Sequence, residues 1–286
     1  MRGNTGRMKH ITQATLTALL LWLPLSAQSL TIPHVADGGG WKTTIVLTNT
    51  SPNPASATLI FHKQAQADGN TQPWNPPIVE VISTSGMNMA GGSTLFLNTT
   101  GTAADLSVGW AELNADAGVI GYVVFSIRAG ATQDEGTAPA VAASNRILVP
   151  YDDSNGFVTD MAIVNPTGSP MDISVGFRTV DGLVSTGNTL SQLPAGGHLS
   201  FALSTQFPVI HGHVGLAEFY SATGNFSVIA LRTNPTNSFT TAPVYFQSGA
   251  PMIQADTSNP YPTGPPCDPY YGCPNMYLRS PAGGVH

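Results

Sequence analysis

The feature that most restricts this chain is that it repeats itself. Gly40-Trp-Lys-Thr-Thr-Ile-Val-Leu-Thr-Asn49 aligns without a gap on Gly156-Phe-Val-Thr-Asp-Met-Ala-Ile-Val-Asn165, and Ala57-Thr-Leu-Ile-Phe61 keeps the same register on Ile173-Ser-Val-Gly-Phe177. Ala90-Gly-Gly92 returns as Ala195-Gly-Gly197, and Val108-Gly-Trp-Ala-Glu-Leu113 returns as Val214-Gly-Leu-Ala-Glu-Phe219. A period of about 100 residues means one folding unit written twice, each copy with its own apolar face to bury. The spacing shortens after Phe61, so the first copy carries an insertion before Ala90, expected in the Gln64–Pro77 loop.

Each copy is expected to be strand-built. Thr58, Ile60 and His62 alternate with Leu59 and Phe61, the period of a half-buried strand. Charged residues are only 9% of the chain, too few to coat long amphipathic helices, and Thr, Ser, Asn, Gly and Pro take their place. About seven short strands per copy predict an all-β fold of two tandem β-sandwich modules at 30–130 and 145–247. A linker is expected at 131–144 and an irregular Pro/Gly-rich tail at 248–286. One up-and-down barrel spanning both copies is the competing architecture.

The strands Val46-Leu-Thr-Asn49…Ala57-Thr-Leu-Ile-Phe61 and Ile163-Val-Asn165…Val175-Gly-Phe177 share a plan: a strand ending in Asn, a turn, then a small-residue strand closing on Phe. In this the chain resembles the immunoglobulin-like modules found in tandem on secreted and surface proteins of bacteria. Pro33-His-Val-Ala-Asp-Gly-Gly-Gly-Trp41 is similar to uncharacterised secreted proteins of the same build. The resemblance implies adhesion, spacing or ligand presentation, and it brings no catalytic residues. The Cys…Trp…Cys pattern of antibody domains is absent.

Residues 1–27 are expected to be a signal peptide. Arg2, Arg7 and Lys9 precede the apolar run Ala18–Leu25, and Ser26-Ala27 offers a cleavage site. The run is shorter than the ~20 residues of a membrane span. The expectation is therefore a secreted or cell-surface protein with no transmembrane segment once the signal is removed. Removal leaves seven basic residues against sixteen acidic ones. Nucleic acid, which is held through Lys and Arg, is excluded as a partner. An extracellular protein or polysaccharide is expected instead.

The residues that could carry chemistry are few. Trp74, in the enlarged loop, is a candidate exposed anchor, with packing against its own module as the alternative. Glu112 and Glu218 fall at equivalent positions and could bind a ligand on matching faces, or be outward-facing acids paired with Arg128 or Arg232. Asp152, Asp153 and Asn155, with Asp160, resemble part of a calcium loop, but Ile163 stands where the closing Glu is required. Calcium is possible and not favoured; no cofactor is expected. His211 and His213 could start a metal site, with His198 and His34 as speculative additions. Cys267 and Cys273 are expected to pair in the exported tail, where Tyr270 and Tyr271 could contact a partner. No Gly-x-Ser-x-Gly elbow is present. The expectation is a non-catalytic binding or scaffolding protein. Carbohydrate binding and, behind it, an extracellular hydrolase are the alternatives.

Overall fold

The computed structural model describes residues 27–129 and 132–254. In the first copy, β1 (Gln28–Asp37), β2 (Trp41–Asn49), β3 (Ala55–Gln64), β4 (Thr71–Trp74), β5 (Met87–Met89), β6 (Thr94–Asn98), β7 (Ser107–Ala115), β8 (Val119–Ala129) and β9 (Thr132–Pro139) form two antiparallel sheets, ordered β1-β7-β3-β4 with β5 beside β3, and β6-β2-β8-β9. In the second, β10 (Arg146–Asp152), β11 (Val158–Val164), β12 (Met171–Thr179), β13 (Val184–Leu193), β14 (His198–Ala202), β15 (Val214–Tyr220), β16 (Ser227–Thr233), β17 (Phe239–Ala242) and β18 (Tyr245–Gln247) give the orders β13-β12-β15-β10-β18 and β14-β11-β16-β17. No sheet closes on itself, so the barrel is excluded.

The copies match strand for strand. Leu59 lies opposite Leu113 as Val175 lies opposite Phe219, and Val46 opposite Tyr122 as Ala162 opposite Ile229. Alternation sends one side of every strand inward. Ile45, Leu47, Leu59, Leu113, Val123 and Phe125 from both sheets make the first core, and Ile147, Val149, Ile163, Val175, Phe219 and Val228 make the second. The repeated glycines have a repeated cause. A Cβ on Gly109 would stand 2.0 Å from the His62 carbonyl oxygen, and one on Gly215 2.2 Å from that of Arg178. Backbone cannot yield as a side-chain tip can, so Gly109→Ala is expected to cost about 2 kcal/mol in urea denaturation, and Gly215→Ala the same.

Three expectations change. The presumed linker 131–144 contains β9, because the long strand β8 offers ladder groups along Tyr122–Ala129, and pairing overrides a composition that suggested a free tether. The insertion lies further along than Gln64–Pro77. Residues 65–70 form a short turn, whereas residues 75–86 split into β4 and β5 what is the single strand β13 in the second copy. Lastly, β1 is a full strand that composition did not reveal. It brings the first copy against the second, lying across β11 and β16. Ala162 and Ile229 of the second copy are thereby buried in the first copy's core cluster. Both copies belong to one compact unit ending at Ile253. No helix of the described residues is long and apolar enough to cross a membrane. The signal peptide, apart from Ala27, and residues 255–286, with Cys267, Cys273, Tyr270 and Tyr271, lie outside the described residues.

Candidate functional site between the two copies

A one-residue difference between β1 and β10 builds the junction. β1 pairs with β7 as far as Ile32 opposite Ala111 and resumes at Val35 opposite Gly109, so Pro33 and His34 together face Trp110. In β10 the ladder runs straight through, with Val149 opposite Ala217, Pro150 opposite Leu216 and Tyr151 opposite Gly215. Pro150 alone thus stands where the first copy has Pro33-His34. An extra residue in one strand re-aims its side chain. It aims His34 at the second copy: His34 Nδ1 is 3.2 Å from His198 Nε2, and His198 Nδ1 is 2.9 Å from Gln64 Oε1. The two imidazoles stack with centroids 5.4 Å apart, and His34 also meets Phe125.

The turn that carries His198 is held from the first copy. Trp110 Nε1 and Thr71 Oγ1 each donate to the Gly196 carbonyl at 2.8 Å, and the His198 amide donates to the Gly69 carbonyl at 2.9 Å. Trp110, aligned with Leu216, is buried at this junction.

Burial disfavours the charged imidazole and lowers the pKa of His34 from 6.5 to about 4. His198 lies well below its ordinary value, first through burial and then through His34 beside it, with the Pro33 carbonyl acting the other way. Both rings are neutral at pH 7. With Gln64 Oε1 accepting, His198 carries its proton on Nδ1 and its Nε2 accepts from His34 Nδ1–H, which leaves the His34 Nε2 lone pair free to accept.

His34 is also part of the wall of a cavity of about 400 Å³ between the copies. Trp41 and Phe239 form one end, with ring centroids 5.6 Å apart, and Ile229 and Leu231 form much of the apolar floor. Its polar groups are His34, Asp160, Ser200, Thr233 and Asn237. Asp160 accepts from Thr233 Oγ1 at 2.8 Å, yet burial still raises its carboxyl above the ordinary value. The space accepts a small, mainly apolar molecule and offers it a few hydrogen bonds at one side.

The sequence-derived candidates scatter. Trp74 ends β4 half-buried, its ring edge-on to Phe61 at 6.3 Å and packed on the first core, which favours the folded-back alternative. Glu112 and Glu218 hold equivalent backbone positions and do different work. Glu112 accepts from Ser29 Oγ at 3.1 Å on the surface. Glu218 is only 1% exposed, which corrects the outward-facing reading: residues 251–253 lie over it, and its carboxylate accepts the amides of Met252 and Ile253. Its cationic neighbour is Arg146, at 3.8 Å, and not Arg128 or Arg232.

The acids of the calcium-like stretch face different partners. Asp152 takes Arg232, Asp153 takes Ser204, the Gly212 amide and His211, and Asp160 faces the cavity. Asn155 is exposed in a turn with φ of 51°. Asp37 accepts from the Gly101 amide much as Asp153 does from Gly212, so this pair is a turn device common to both copies. His211 and His213 turn to separate carboxylates, Asp153 and Asp181. Among the described residues no group of three His, Cys, Asp or Glu side chains is poised to hold a metal ion.

The His34–His198–Gln64 chain and the Trp41–Phe239 end were not assembled from sequence. The signal lay where the copies differ, at Pro33-His34 against Pro150 and at His198 against Thr94. No family model, curated protein or solved structure matches the chain.

Proposed function

We propose that this is an exported, non-catalytic binding and scaffolding protein whose two sandwiches act as one body and whose ligand site is the cavity between them. The observation that carries this reading is that the junction departs from the repeat. A duplication supplies equivalent surfaces, yet His34, His198 and Gln64 have no counterparts at Pro150, Thr94 and Val180, and they converge beside a pocket of ligand size. The ligand class is a small, mainly apolar, ring-bearing molecule with one donor for the His34 lone pair or one acceptor for Ser200. The rigid pair of sandwiches presents that ligand, or the surface around it, to an extracellular protein or polysaccharide.

The neutral aromatic dye N-phenyl-1-naphthylamine tests the site. It is expected to brighten on binding, to quench Trp41, and to lose at least about tenfold in affinity when Ser200→Phe fills the cavity. No saturable binding, or binding indifferent to Ser200→Phe, removes the pocket from the proposal. A hydrolase is the second reading, because His34 and Asp160 line the same space. Turnover of aryl esters or glycosides that disappears in His34→Ala, with the fold intact, would replace binding by catalysis.

A further inference from the structure

One sheet face is bare in the first copy where its equivalent in the second is covered. On the outer face of β6-β2-β8, register places Phe96 opposite Val46 and Val46 opposite Tyr122, with Ile120 opposite Thr48 one pair along. Phe96 and Ile120 are each 56% exposed and Tyr122 is 43% exposed. The same positions of the second copy are Ser200, Ile229 and Ser227, set around Ala162. There, Ala162 and Ile229 are buried against the first copy. The face that has a covering layer within the chain carries small residues and one Ile. The face without one carries two aromatic rings and an isoleucine.

What covers the second copy's face is a sandwich of this same chain. The bare face is suited to another such sandwich, since its outward positions Thr44, Thr48 and Thr94 are neutral and its charges sit toward one end: Lys42, Glu135, and Glu80, which accepts from Asn98 beside Thr44. On a chain of net charge −6, the centre of this face is where two copies can approach with no acid among Phe96, Val46, Tyr122, Thr48 and Ile120. Head-to-tail continuation of the internal junction is closed, because β10 lacks the bulge and Tyr151 lies in the second core. A twofold contact needs only the one patch.

We propose that a second copy of this chain covers this face, packing β6-β2-β8 on β6-β2-β8 about a twofold axis. Exposed aromatic rings also suit sugars, but Val46 between the rings and Ile120 beside Tyr122 give no flat stacking platform, and protein is favoured. Sedimentation velocity on the secreted chain, from micromolar to millimolar, is expected to show a concentration-dependent dimer. The double variant Phe96→Thr/Tyr122→Thr is expected to weaken it at least about tenfold. Thr48→Glu, which removes no apolar group, is expected to do the same while circular dichroism and dye binding in the cavity stay unchanged. A monomer throughout, or a dimer indifferent to both variants, overturns the proposal. So does saturable binding to cellulose or chitin by a monomeric wild type that the same variants abolish.

Discussion

Asn165→Ala is expected to lower stability by about 3 kcal/mol, and Asn49→Ala by a similar amount in the other copy. Asn49 ends β2 and Asn165 directly follows β11; neither has exposed surface, and each closes the turn that comes next. Asn165 Nδ2 donates to the carbonyls of Ser169 (2.8 Å), Leu193 (3.1 Å) and Pro194 (2.8 Å), while Oδ1 accepts the Thr167 amide at 2.9 Å. Asn49 repeats the pattern on Asn53 and Ala90, and accepts the Ser51 amide. Alanine leaves several buried backbone groups unmatched at once, which is why the cost exceeds that of one hydrogen bond. Asn165→Asp keeps the shape and turns a donor into an anion facing carbonyls, so it is expected to be at least as damaging. Urea denaturation measures both; a loss below about 1 kcal/mol would mean that water replaces the clamp.

Acid is expected to weaken the junction between about pH 6.5 and pH 4. His34 titrates lower folded than unfolded, so its contribution is intact above 6.5 and is lost as protons bind the unfolded chain first, down to the folded value of about 4. That span corresponds to about 3 kcal/mol from His34, and His198 adds in the same direction. Asp152, held below its ordinary value by Arg232 and Ser154 despite burial, loses its contribution only at lower pH. Asp160, raised by burial, opposes the histidines weakly as it takes up a proton. Stability measured against pH is expected to flatten through this window in His34→Gln, which keeps hydrogen bonding without the imidazole. An unchanged slope would place the acid sensitivity elsewhere.

The repeat made the fold legible. Alternation at Thr58–His62 and the recurrence of Gly109 at Gly215 belong to local geometry that every copy must satisfy, so they survive in the sequence twice. The strand-end Asn pair was visible for the same reason, although its work as a clamp was not. The junction was not legible, because it is made of what is not repeated. His34 stands out only once β1 is paired with β7 and found one residue longer than β10. Glu218 misled in the opposite sense: its recurrence suggested a shared role with Glu112, whereas burial came from residues 251–253, far along the chain. Recurrence records the ladder position and says nothing of what later packs over it.

The bulge at Pro33-His34 makes the joint between the copies handed. The first unit supplies the protruding imidazole and the second supplies the turn that receives it, so the two are not interchangeable parts. An artificial array made by reiterating the second unit would offer a receiving turn at every junction and no ring to enter it. Adding length to such a protein therefore requires alternating the two sequences, not multiplying one.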